Sequence, residues 1–214
     1  MKFPALMQRL LDVKRQSRPL APRELTALFR RALDKTVILK TRRSPTVDFG
    51  CVIVAGAYDS DADKEGEDCI EIALMYHPAT QALELDADSW FKVCFDIAEC
   101  IGHEYVHQAQ YRKRKWKQGT SYASADEEQA YLGDPDEVEA YAFSIAAELA
   151  VVHKTFDIES PAIEQVVMYT VYCKTFDTDK SVMLQLRQHI IKYLRRLEVD
   201  YYEQTNPRRT INRK

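Results

Sequence analysis

Apolar residues change their spacing several times along the chain, and each change marks a new kind of element. From Pro4 to Gln16 they recur at Leu6, Leu10 and Val13, the spacing of a helix with one buried face. Ala21-Pro22-Arg23-Glu24 predicts a second helix, with proline in its first turn, running to about Asp34. The pattern then becomes extended. The β-branched stretch Thr36 to Lys40, the run Phe49 to Tyr58 and the run Cys69 to Tyr76 read as strands, with a short edge strand at Ala82 to Leu85. The polar stretch Asp59 to Asp68 joins two of these strands as an antiparallel pair.

Helical spacing returns at Asp88 and persists for about 25 residues. Asp88 or Ser89 caps this helix, Arg112 to Lys117 places cations at its carboxyl end, and Gln118 to Ser121 stops it. A short helix is expected around Ala125 to Tyr131. Asp134 and Pro135 then open another that continues to about His153. Two more run from Ser160 to about Lys174 and from Asp179 to about Glu203, before a polar, basic tail from Asn206 that frays. This order predicts a helix-rich α+β fold, with a small, mostly antiparallel sheet packed on the long central helix. We read one domain over 1–214, made of basic amino-terminal helices (1–35), the sheet (36–87), central helices (88–153) and carboxyl-terminal helices (154–214).

Composition adds little to that picture. Of 214 residues, 46% are hydrophobic and 29% charged, ordinary proportions for a soluble globular protein. The sequence has no apolar run long enough for a membrane span, and Met1 to Leu20 lacks the apolar core and cleavage site of an export signal. Five cysteines with no C-x-x-C pair read as reduced thiols, and together these features point to the cytoplasm. Charge is more informative. The net value is −3, yet residues 1–43 carry +9, residues 44–111 carry −12, and Arg112 to Lys117 add +5. Basic segments flanking an acidic centre either contact nucleic acid or pair with that centre.

The acidic centre contains His103-Glu104-Tyr105-Val106-His107. Two histidines four apart on a helix project from one face, so both imidazoles reach a single zinc ion. The glutamate after the first histidine stands beside the metal without ligating it, as general base for an attacking water. The preceding Cys94, Ile97 and Ile101 bury this helix, which makes a cluster of histidine and glutamate without a metal costly. A catalytic zinc needs a third protein ligand. The position six after the second histidine, where the elongated motif has another histidine, is Lys113. Downstream candidates are Glu137, Glu139 and His153. Asp134 and Pro135 set the helix start and place Glu137 in its first turn, and Glu139 points roughly 200° away from it.

These residues resemble the gluzincin group of zinc metallopeptidases, in which a glutamate on a second helix is the third ligand. His103 to His107, followed thirty residues on by Glu137-Val138-Glu139-Ala140, is similar to the HtpX-type proteases and the ImmA/IrrE-type regulators. The resemblance spans 103–142 and implies a minimal zincin fold and one zinc per chain. It also implies His103, His107 and Glu137 as ligands, Glu104 as general base, and a peptide or protein substrate. Glu139 stays the alternative ligand. The Asp or Asn that supports a ligating histidine in those families is Tyr141 here, whose hydroxyl is the candidate to replace it.

Other features read as structure. Asp59, Asp61, Asp63 and Glu65 mimic a calcium loop, but Gly66 and Ile70 stand where such a loop needs other residues, which leaves a solvated loop. Tyr105 and Tyr111 are packing residues before they are oxyanion donors, and His77 and His189 stand alone. The expected function is therefore zinc-dependent peptide hydrolysis. The alternatives are a regulatory or nucleic-acid-binding protein on the same fold, working through its basic segments, and a structural zinc closed by both glutamates.

Overall fold

The computed structural model describes residues 2–117 and 127–206. By its contacts the chain divides into two compact units, Met1–Gln108 and Ala109–Lys214.

In the first unit, α1 spans Phe3–Leu11 and α2 spans Pro22–Arg30, each with proline in its first turn. Both end earlier than the periodicity suggests. Glu24 closes the start of α2, accepting hydrogen bonds from the Ala21 amide and from Arg18. Three strands follow, β1 Val37–Arg43, β2 Val52–Tyr58 and β3 Ile70–Tyr76, in the spatial order β1-β3-β2. The β2–β3 pair is antiparallel, as expected, and β1 pairs with β3 in parallel, so the sheet is mixed. Val37 and Leu39 stand in register with Ile70 and Ile72, and all four are buried on the face that forms the core.

Two short segments differ from the sequence expectation. The polar stretch between β2 and β3 folds into a helix, α3 Ser60–Glu65, because the Asp59 carboxylate caps it and Gly66 closes it at a left-handed φ of 80°. Asp63 on α3 is buried rather than solvated, accepting hydrogen bonds from Tyr58 Oη at 3.0 Å and Gln108 Nε2 at 2.9 Å. Ala82 to Leu85 contributes only one bridge, between Leu83 and Leu20.

The central helix, α4, spans Ala87–Lys113. Its cap is Asp86 rather than Asp88 or Ser89, since Asp86 Oδ1 accepts the Ser89 amide at 2.8 Å. Cys94, Ile97, Ala98 and Ile101 form a fully buried stripe at helical spacing. Two contacts anchor it: Trp90 stacks on Phe29 with ring centroids 5.0 Å apart, and the Cys94 thiol donates to the Leu10 carbonyl. The helix ends at consecutive left-handed residues, Lys115 and Trp116, where the Trp116 amide closes on the Tyr111 carbonyl. The predicted stop at Gln118 to Ser121 and the predicted frayed tail beyond Asn206 lie outside the described residues.

The second unit is helical: α5 Glu127–Gly133, α6 Pro135–Val151, α7 Val167–Thr175 and α8 Lys180–Thr205. The helix expected from Ser160 to Lys174 is interrupted. A 3-10 turn, Pro161–Gln165, ends at fully buried Val166, whose extended backbone separates it from α7. Along α6 apolar residues are buried on most sides, among them Val138, Ala142, Ile145 and Leu149. It packs on α8, whose stripe of Val182, Leu186, Ile190, Leu194 and Leu197 repeats at three- and four-residue steps. Phe143 meets Tyr193 edge to face at 5.5 Å across that packing. Among the described residues no helix is long and apolar enough to cross a membrane.

Candidate metal centre

His103 and His107 stand one turn apart on α4. His103 is buried and His107 half-buried, with ring centroids 5.0 Å apart and inclined at 69°. Their Nε2 atoms approach to 3.2 Å. Two imidazole nitrogens at that distance either share a proton or face a common cation, because two bare lone pairs repel. Ligands at the usual zinc–nitrogen distance in a tetrahedral site lie roughly 3.3 Å apart, close to this separation.

Glu104, also buried, lies against β2. A β-carbon built on Gly56 would stand 2.6 Å from Glu104 Oε1 and 3.0 Å from its Cγ. One helical turn earlier, the Cys100 thiol reaches the Val54 carbonyl at 3.9 Å. Val54 and Gly56 lie on the same face of the strand, and two strand residues advance about as far as one helical turn, so the helix and strand stay in step. Burial, with Glu99 and Glu104 adding to it, holds the Cys100 thiol well above its ordinary pKa and therefore neutral. Gly56 is exposed, so the backbone beside the buried carboxylate borders solvent. The sequence reading did not single out Gly56, although a glycine inside Val-Ile-Val-Ala-Gly-Ala-Tyr is the signal of a close backbone approach.

Glu137 lies in the first turn of α6, as its spacing from Asp134 predicts. Asp134 Oδ1 accepts the Asp136 amide at 2.8 Å and Pro135 occupies the first turn. One Glu137 oxygen, Oε2, is buried with no hydrogen bond, although the residue is engaged in other interactions. Glu139 is committed elsewhere. Its Oε1 accepts from Lys192 Nζ and from Tyr193 Oη at 3.2 Å, and its Oε2 accepts from Gln110 Nε2 at 3.2 Å. Burial alone raises the Glu139 carboxyl, but the bonds from Lys192 and Gln110 outweigh it and hold the pKa below the ordinary value. His153 follows the end of α6, 3.9 Å from Glu148.

The start of α6 is clamped to residues at the end of α4. Arg114 forms a two-pronged ion pair with Asp136 at 2.7 and 2.6 Å, and Gln110 donates to the Asp136 carbonyl at 3.0 Å. Among the described residues His103, His107 and Glu137 form a group of potential ligands, one atom from each lying within 4.8 Å of the others. Glu139, His153, His77 and His189 belong to no such group among those residues. Tyr141 lies one turn after Glu137, with its ring against Tyr131 at 6.4 Å and Tyr172 at 6.0 Å.

The charged segments pair partly within themselves, and Lys40 and Arg42 reach the acidic segment at Glu71. Asp59 is a helix cap and Asp63 a buried acceptor. Arg9 pairs with Asp34, Arg18 with Glu24, and Lys40 and Arg42 with Glu71. From the run after the histidines, Arg114 pairs with Asp136 and lies 5.0 Å over the Tyr111 ring.

No protein-family model, curated protein or solved structure matches the chain.

Proposed function

We propose that this chain is a zinc-dependent peptidase of the minimal gluzincin type, with His103, His107 and Glu137 as ligands and Glu104 as general base. The observation that carries it is the approach of three ligand atoms to within 4.8 Å of one another, from residues spaced on two helices as a zinc site requires. Two imidazoles and one carboxylate suit zinc better than calcium or magnesium, which take all-oxygen shells. Three protein ligands leave a fourth position for chemistry, and the engagement of Glu139 by Lys192, Tyr193 and Gln110 favours this open arrangement over a site closed by both glutamates.

When bound, zinc supplies Lewis acidity, polarising a scissile carbonyl and lowering the pKa of water toward ~7. Glu104 takes a proton from the attacking water and delivers it to the leaving amine, a task that needs a carboxylate oxygen within about 2.6–3.2 Å of the water oxygen. Gly56 gives this carboxylate its place against the strand and leaves the neighbouring backbone open to solvent. Because β2 is an edge strand, its outer side offers main-chain donors and acceptors to an extended peptide laid beside Glu104. The five cysteines are free thiols, which suits a reducing cytoplasm.

The test is metal analysis of protein purified without chelators, followed by digestion of denatured casein with and without 1,10-phenanthroline. About one equivalent of zinc and chelator-sensitive cleavage are expected. Protein that holds no zinc, even after zinc is added back, overturns the assignment.

A second reading is a regulatory protein that binds nucleic acid through its amino-terminal cations, with proteolysis absent or limited to one target. The exposure of Arg23, Arg31, Lys35 and Arg43 favours it. Retention on heparin that falls steeply with salt would support it, and passage of the protein unretained would remove it.

A further inference from the structure

The side of α4 that meets β2 does not stop at Glu104. Cys100, Glu104 and Gln108 follow one another at four-residue steps along the helix, so they share a face. Cys100 reaches the Val54 carbonyl, and Glu104 rests against Gly56. Gln108, one turn further, meets the connection that leads from β2 to β3. Its Nε2 donates to Asp63 Oδ1 at 2.9 Å and to Cys69 Sγ at 3.1 Å. Tyr58, the last residue of β2, donates to Asp63 Oδ2 at 3.0 Å, and the thiol of Cys69, just before β3, donates to Oδ1 at 3.5 Å. Through these bonds one amide on α4 ties the end of β2, the helix α3 and the start of β3 to the helix that carries Glu104.

Asp63 and Gln108 are both buried. Apolar side chains would fill the same space without the cost of desolvating an amide and a carboxylate. What the bonded pair adds is a defined geometry, since a hydrogen bond fixes distance and direction where apolar contact does not. That geometry matters one turn back, at Gly56, where a β-carbon would stand 2.6 Å from Glu104 Oε1. With so little room, a small slide of β2 along α4 displaces the carboxylate.

We propose that Gln108 is a positioning residue for Glu104, an inference that rests on the peptidase reading above. Its amide, held by Asp63 and Cys69, fixes how β2 lies along α4 and so where the carboxylate meets the attacking water. The acidic stretch between β2 and β3 then serves as the anchor of the motif helix.

The experiment compares wild type with Gln108→Leu, Asp63→Asn and the double variant Asp63→Leu with Gln108→Leu. Zinc content, melting temperature and steady-state cleavage of casein are measured on each. Gln108→Leu is expected to keep its zinc and its KM while kcat falls by about 100-fold, the cost of an ångström-scale misplacement. Affinity for a peptide hydroxamate, whose hydroxyl stands where the attacking water would, should weaken by about 10-fold, the worth of a hydrogen bond to a charged group. Asp63→Asn still offers an oxygen to the Gln108 amide and should keep kcat within about threefold of wild type. The double variant replaces both partners by apolar groups, so its melting temperature should return toward wild type while kcat stays low. Recovery of kcat together with melting temperature in the double variant, or wild-type kcat in Gln108→Leu, overturns the role of Gln108 alone. Wild type that holds zinc and cleaves nothing overturns the peptidase reading and this role with it.

Discussion

Gly56 leaves the Glu104 carboxylate room that a β-carbon at this position would take, so that the side chain would have to shift. A methyl group on Gly56 would stand 2.6 Å from Glu104 Oε1, well inside contact distance. The buried carboxylate therefore rests on bare strand backbone, and the strand determines where the proposed general base sits.

Replacing Gly56 by alanine should move Glu104 without touching either histidine. Zinc content should match wild type, while casein cleavage falls by about 100-fold, the typical cost of an ångström-scale misplacement of a reacting group. Cleavage at the wild-type rate would show that Glu104 relaxes around the methyl group at no cost to its chemistry.

Glu104→Gln keeps the shape of the side chain and removes its basicity. We expect full zinc occupancy with turnover lowered by about 10²–10⁴-fold. Metal analysis and cleavage rate on the same sample separate this outcome from loss of the site.

The two glutamates of α6 should respond in opposite ways. Glu137→Gln is expected to lose zinc. Glu139→Gln should retain it but lower stability by about 1–3 kcal/mol, because Lys192 and Gln110 lose a charged acceptor in a half-buried setting. The pH dependence follows from the depressed Glu139 pKa. A carboxyl held below its unfolded value stabilises the fold above about pH 4.3, and that contribution is lost as pH falls through the folded value. Denaturant melts of wild type and Glu139→Gln should therefore converge under acid conditions.

Cys94 provides a check on the first unit. Burial pushes its pKa up to about 12. Such a group stabilises the fold fully below the unfolded thiol value near about 8.5, and the contribution is lost as pH rises from there through the folded value. Native protein treated with iodoacetamide should be labelled at exposed Cys51 and not at Cys94, as read by peptide mass spectrometry. Labelling of Cys94 should require denaturant, and alkaline melts should show stability falling above about pH 8.5.

How much of this was legible depends on the distance over which each feature is decided. The sheet is a case in the middle: the antiparallel pairing of β2 with β3 follows from their nearness in sequence. The parallel pairing of β1 with β3 skips a strand, and periodicity says nothing about it. The stretch from Asp59 to Asp68 is mostly exposed, as its charge predicts, and Asp63 is the exception. It is buried because donors arrive from Tyr58 and from Gln108, the latter 45 residues away.

By itself the sequence determined the α+β order, the placement of His103, Glu104 and His107 along one helix, and the start of α6 at Asp134 and Pro135. Helical period and capping act within a few residues, so local sequence is enough for them. Only the tertiary structure decided that Glu104 lies on Gly56 and that Glu139 is occupied by Lys192 and Gln110. Both bring together groups far apart in sequence. Which side chains meet in these places is set by packing between elements, and no local pattern encodes it.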